Sequence, residues 1–179
     1  GLEHTLPRNL SQLESITSLD LSRKKLTHLP ESIGALRNLS ILKISGNRLK
    51  ALPKSLSTLK NLRNFQCENN LLEHLPEDFG KLHSLVILNL NGNQITSLPQ
   101  SFYDLTNLTR LTLAVNRLSH LDIAFKHLKK LLHVSLDTNY FSTLPEVFDA
   151  MKSLYYLDLS FNKLQSLPES LGAIEELET

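Results

Sequence analysis

The chain of 179 residues balances 19 Lys and Arg against 18 Asp and Glu, a formal net charge of +1, and is long enough for one domain with a core of its own. That balance excludes the strongly basic surface on which phosphate-tracking proteins and binders of anionic membranes depend, so neither nucleic acid nor membrane insertion is expected. No apolar run approaches the ~18 residues of a bilayer span, the N-terminus lacks the pattern of a signal peptide, and the one cysteine, Cys67, rules out an internal disulfide framework and fits a reducing compartment.

The first segment, "LPRNLSQL" at 6 to 13, reads as the back half of a unit whose strand is absent. Leu13, Ile16, Leu19, Leu21 and Lys24 then recur 23 residues later as Leu36, Leu39, Leu42, Ile44 and Asn47, and again as Leu59, Leu62, Phe65, Cys67 and Asn70. Four further copies end at Asn93, Asn116, Asn139 and Asn162, giving seven units at 13–35, 36–58, 59–81, 82–104, 105–127, 128–150 and 151–173 without insertion or deletion. Alternation such as Leu42-Lys43-Ile44 predicts a short strand with one buried face. One such strand cannot stand alone, so neighbouring units must stack, pair their strands in parallel and share a continuous leucine interior. Asn47, Asn70, Asn93, Asn116, Asn139 and Asn162 close the strands, where a side chain with both donors and an acceptor can satisfy backbone groups as the chain turns away; a buried ladder is expected. Lys24, at the first of these positions, cannot accept a hydrogen bond, which suits a place near an end.

The second half of each unit, from "LPESIGAL" (29 to 36) to "LPESLGAI" (167 to 174), returns the chain through proline, whose fixed φ and missing donor suit short 3₁₀ or irregular backbone. "LDIAFKHL" (121 to 128) puts Asp122 in proline's place, where it is expected to cap a short helical turn. The closing "IEELET" (174 to 179) begins an eighth unit, so the expectation is a single solenoid over 1–179 that is a fragment of a longer protein.

The outward side chains of the strands form the candidate surface. Its centre column includes Lys43, Gln66, Asn89, Thr112, Ser135 and Asp158; one flank includes Ile41, Ile87, Arg110, His133 and Tyr156, and the other Asp137. Phe161 is taken with them as a partner-binding residue. Packing does not fix these positions, so they can encode the choice of partner, with Tyr156, Phe161, Arg110, Ile41 and Ile87 as anchors. A row of strands ~4.8 Å apart is on the order of 30 Å long, which fits a protein better than a metabolite.

Two groups resemble catalytic or metal sites. His133, Ser135 and Asp137 share a strand face with Asp158 beside them, but residues two apart on a strand sit ~6.6 Å apart with parallel side chains, and no helix N-terminus or glycine turn offers an oxyanion hole. His28, His74 and His120 recur at one position in alternate units, ~9.6 Å apart by strand spacing, too far for one zinc ion. No enzyme, cofactor or metal is expected. Cys67, in a leucine position, is expected to be buried and inert. The basic run "KHLKK" (126 to 130) reads as a solvated turn, and the glycosylation-like triplets at Asn9, Asn38 and Asn107 as unused repeat spelling.

The seven in-phase copies of L-x-x-L-x-x-L-x-L-x-x-N-x-L resemble the leucine-rich repeat family, and the "LPESIGAL"-like half resembles the Ras-suppressor and LAP class of cytosolic scaffolds (Erbin, Scribble) and bacterial leucine-rich repeat proteins. The resemblance implies an α/β fold, a leucine-rich repeat solenoid with a curved parallel sheet on the concave face and 3₁₀ segments on the convex one. It implies a monomeric protein-binding scaffold of the cytoplasm, acting in signalling; the alternatives are the targeting arm of a larger enzyme (kinase, phosphatase, GTPase or ubiquitin ligase) or a bacterial effector that is secreted to bind a host protein.

Overall fold

The computed structural model describes residues 15–175 and 177. The opening half-unit at 6 to 13, Asn9 and the first residues of the first unit lie outside them. Seven three-residue strands follow one another in the sheet in chain order: β1 (Ser18–Asp20), β2 (Ile41–Lys43), β3 (Asn64–Gln66), β4 (Ile87–Asn89), β5 (Arg110–Thr112), β6 (His133–Ser135) and β7 (Tyr156–Asp158). All pair in parallel, each residue opposite the one 23 positions on, as in Ser18 with Ile41 and Ile41 with Asn64. Register cannot slip, because a shift by one residue would turn every leucine outward.

The inward column of Leu42, Phe65, Leu88, Leu111 and Val134 is wholly buried, and so is the next one, Ile44, Cys67, Leu90, Leu113 and Leu136. Burial raises the Cys67 thiol's pKa far above its ordinary value, so it stays protonated and unreactive. Parallel sheets need cover on the buried side. Here it comes from 3₁₀ turns η1 (Glu31–Ala35), η2 (Lys54–Thr58), η3 (Phe79–Lys81), η4 (Gln100–Asp104), η5 (Ile123–His127), η6 (Phe148–Ala150) and η7 (Glu169–Ala173).

Pro30, Pro53, Pro99 and Pro168 open four of these turns with φ between −65° and −73°. Asp122 adopts the same backbone, φ −70° and ψ 149°, and its carboxylate accepts the Ala124 N–H at 2.7 Å. A side-chain cap thus replaces a ring at this position. Between the turns runs a spine of buried Phe79, Phe102, Phe125 and Phe148. Ring centroids of Phe79 and Phe102 lie 6.3 Å apart and those of Phe125 and Phe148 6.4 Å. Strands approach to ~4.8 Å on the other side. These rings fill the back of the stack, behind the buried face of the sheet. Gly80 permits one close approach along the back, since a methyl group there would overlap the Ser101 carbonyl oxygen.

The asparagine ladder is buried at Asn47, Asn70, Asn93, Asn116 and Asn139, and half-buried at Asn162. Each member has the same bonds: at Asn93, Nδ2 donates to the carbonyls of Leu90 (3.0 Å) and Cys67 (3.1 Å), while Oδ1 accepts the Leu72 N–H at 3.0 Å. Two of those three partners belong to the preceding coil. The ladder therefore points one way, each asparagine completing the coil before its own. At the first ladder position Lys24 is exposed and its backbone N–H donates to Asn47 Oδ1.

To bring the asparagine inward, the residue before it takes left-handed backbone. Arg23, Gly46, Asn69, Gly92, Val115, Thr138 and Phe161 all have φ between 53° and 66°. Glycine and asparagine accept this readily, whereas a β-branched residue is strained by about 1–2 kcal/mol.

Candidate protein-docking face

Every outward residue of the strands stands on the concave side, as the alternation requires, because its neighbours on either side are locked in the core. Ile41, Asn64, Ile87, Arg110, His133 and Tyr156 form one column in register, and Lys43, Gln66, Asn89, Thr112, Ser135 and Asp158 the next. Most are half-buried; Arg110 is exposed.

The middle of the floor is polar and internally bonded. Thr112 Oγ1 donates to Asn89 Oδ1 at 2.8 Å across β4 and β5, Gln66 Nε2 donates to Asn64 Oδ1 at 3.3 Å, and Asn91 Oδ1 accepts the Ala114 N–H at 2.8 Å. Bonds of this kind hold side chains in one conformation, which lowers the entropy cost of docking.

The β5 to β7 end is different in character. The His133 and Tyr156 rings lie parallel, 4.1 Å between centroids and 3° between planes, with Arg110 on the adjoining strand. Burial pushes the His133 pKa down, Arg110 pushes it further, and Asp158 opposes both. The imidazole is thus kept neutral into more acidic conditions than usual, as one half of a flat aromatic surface. Burial pushes the Tyr156 phenol up, with the Asp158 charge adding to the effect. Asp158 is lowered: burial alone would raise it, but the Ser160 hydroxyl at 2.7 Å and the Ser160 N–H at 3.0 Å hold the carboxylate ionised.

Two expectations from the sequence need correction here. Ser135 is buried rather than presented, and its hydroxyl donates to Asp137 Oδ1 at 2.6 Å. Side chains two apart do meet, here and inside β3, where Gln66 Nε2 reaches Asn64 Oδ1. The serine proton is directed at a carboxylate and the imidazole at a tyrosine, so no serine–histidine pair forms. Phe161 is not on the sheet. It occupies the left-handed turn after β7, in the last described coil, and is 84% exposed.

His28, His74 and His120 are each exposed, and among the described residues no three metal-ligating side chains come together. No described helix is long and apolar enough to cross a membrane. Unanticipated from the sequence was an edge groove beside Tyr140, which the outward alternation of the strands does not reach.

The family profile described as Leucine rich repeat matches residues 37–95, 60–118 and 106–164, which together cover more than half of the chain. No curated protein matches the sequence. Among solved structures, a leucine-rich repeat protein of Leptospira interrogans is 29% identical over 95% of this chain and 55% of its own length, with a TM-score of 0.67. The plant peptide hormone receptor RGFR1, solved in complex with RGF2, is 26% identical over 92% of this chain and 32% of its own, with a TM-score of 0.72. TLR13, in its complex with ssRNA13, is 30% identical over 94% of this chain and 25% of its own, with a TM-score of 0.81. The chain thus spans between a quarter and just over half the length of these proteins. Seven parallel strands in register, a one-way asparagine ladder and the profile match agree: the chain belongs to the leucine-rich repeat family.

Proposed function

We propose that the chain is a non-enzymatic protein-binding module whose concave floor docks a folded protein partner, as a monomeric scaffold of the cytoplasm acting in signalling. The observation that carries this reading is the His133–Tyr156 stack with Arg110 beside it. Aromatic and arginine side chains concentrate interface energy, and here they are held in place before any partner arrives. Similar arcs take different ligands, one solved with RGF2 and another with ssRNA13. For this chain a protein is favoured, because the floor mixes Asp137 and Asp158 with Lys43 and Arg110 and the chain's net charge is only +1. The unbroken 23-residue period with "LPESIGAL"-like segments in six of seven units supports placement with the Erbin and Scribble class of cytosolic scaffolds.

A second reading has support of its own. The similar structures are longer proteins, one of them bacterial, which is compatible with this stretch serving as the targeting arm of a larger enzyme or as part of an effector that acts on a host protein. Both use the same floor.

Pull-down from lysate with the chain as bait, followed by mass spectrometry, would identify the partner. Arg110→Ala combined with Tyr156→Ala should then weaken capture by about tenfold or more, with a melting temperature within a few degrees of the parent. Undiminished capture by the double variant would remove the assignment.

A further inference from the structure

The left-handed position before each ladder asparagine changes character along the chain. In β2 to β4 coils it is Gly46, Asn69 and Gly92, residues that accept such backbone; in the next three it is Val115, Thr138 and Phe161, with φ of 54°, 54° and 53°. Burial does not explain the change, since Val115, with coils on both sides of it, is still 52% exposed. Left-handed backbone recurs in three successive coils, and in two of them, at Val115 and Phe161, it carries an exposed apolar side chain; strain of this kind persists where function requires the side chain.

These residues frame a groove of about 520 Å³ at the exit edge of the sheet. Tyr140 lines it, with Lys163 Nζ 5.0 Å from the centre of its ring, and Arg117 lines it too. The lining holds two cations and no carboxylate. His133 and Tyr156 begin their strands, whereas this groove lies past the strand ends; it adjoins the concave floor at Asp137, whose carboxylate accepts the Thr138 hydroxyl at 3.2 Å, but does not include Arg110, His133 or Tyr156.

We propose that the groove docks an extended segment of a protein partner in which apolar and acidic side chains alternate. The apolar groups would cover Val115 and Phe161, and the carboxylates would meet Lys163 and Arg117. Two cations are few for tracking a nucleic-acid backbone, where affinity grows with each phosphate neutralised. An extended peptide needs only a few such contacts beside its apolar anchors.

The test is panning of a random peptide library displayed on phage against the whole chain. Enriched peptides would then be synthesised, labelled and titrated by fluorescence anisotropy against the parent and two double variants. Acidic and apolar sequences should be enriched. Their affinity should fall about tenfold or more in Val115→Asn with Phe161→Asn, while that variant melts no lower than the parent, because asparagine suits the left-handed turn. Arg110→Ala with Tyr156→Ala should bind them as the parent does, so failure on the concave floor and failure here are separable. The proposal is overturned if no peptide is enriched, if basic peptides are, if the asparagine variant binds equally well, or if it melts lower and the two residues are therefore structural. An oligouridine RNA bound at the groove in place of the peptides would overturn it as well.

Discussion

At the scale of single residues, the chemistry of a position depends on whether its backbone partners have anywhere else to bond. Asn93 shows this most clearly. Its amide serves three buried backbone groups, and none of them has a substitute once water is excluded. Asn93→Leu should therefore destabilise the chain by roughly 3 kcal/mol or more, measured by chemical denaturation; a parent-like midpoint would refute the ladder's energetic role. The ladder was legible in the sequence because it repeats in phase. Ser135 was not, because its hydrogen bond depends on how the chain bends after β6, and Phe161 was not, because its outward position follows from a φ that alternation does not encode.

At the scale of elements, the 3₁₀ turns need only a fixed entry into their first residue. Proline supplies it in four of the described turns and the Asp122 carboxylate in another. Asp122→Ala should cost about 1 kcal/mol through the loss of the cap. Asp122→Pro should cost about 1 kcal/mol as well, since φ −70° suits proline but the ring removes both the cap and the N–H that Asp122 donates to the buried Tyr103 hydroxyl at 3.4 Å. Thermal melts of the two variants decide between a capping role and a binding one for this aspartate. The turns themselves could be read from "LPESIGAL" and its copies. The phenylalanine spine could not be singled out, though "LPEDFGKL", "LPQSFYDL", "LDIAFKHL" and "LPEVFDAM" all contain it, because only the stacked coils show that Phe79 meets Phe102 and Phe125 meets Phe148.

At the scale of the molecule, stability is the sum of coils and the contacts between neighbours. The described end strands are less completely sealed: Leu19 and Leu157 are half-buried, whereas Leu42, Phe65, Leu88, Leu111 and Val134 are fully enclosed. In a chain of these 179 residues alone, amide exchange should be slowest in β2 to β6 and faster in β1 and β7, read by mass spectrometry; uniform protection from β1 to β7 would contradict an additive stack. Overall architecture was the most legible level, since a period kept without insertion leaves one way to stack. Which face binds, and what it binds, is less legible, because outward residues are the ones that packing leaves undetermined. The direction of the asparagine bonds has one last consequence, for synthesis. Because each coil is finished by an amide from its successor, a coil emerging from the ribosome stays provisional until the next has been translated. At ordinary elongation rates that wait is roughly one to five seconds. Maturation should then proceed as a ratchet, one turn behind the growing end.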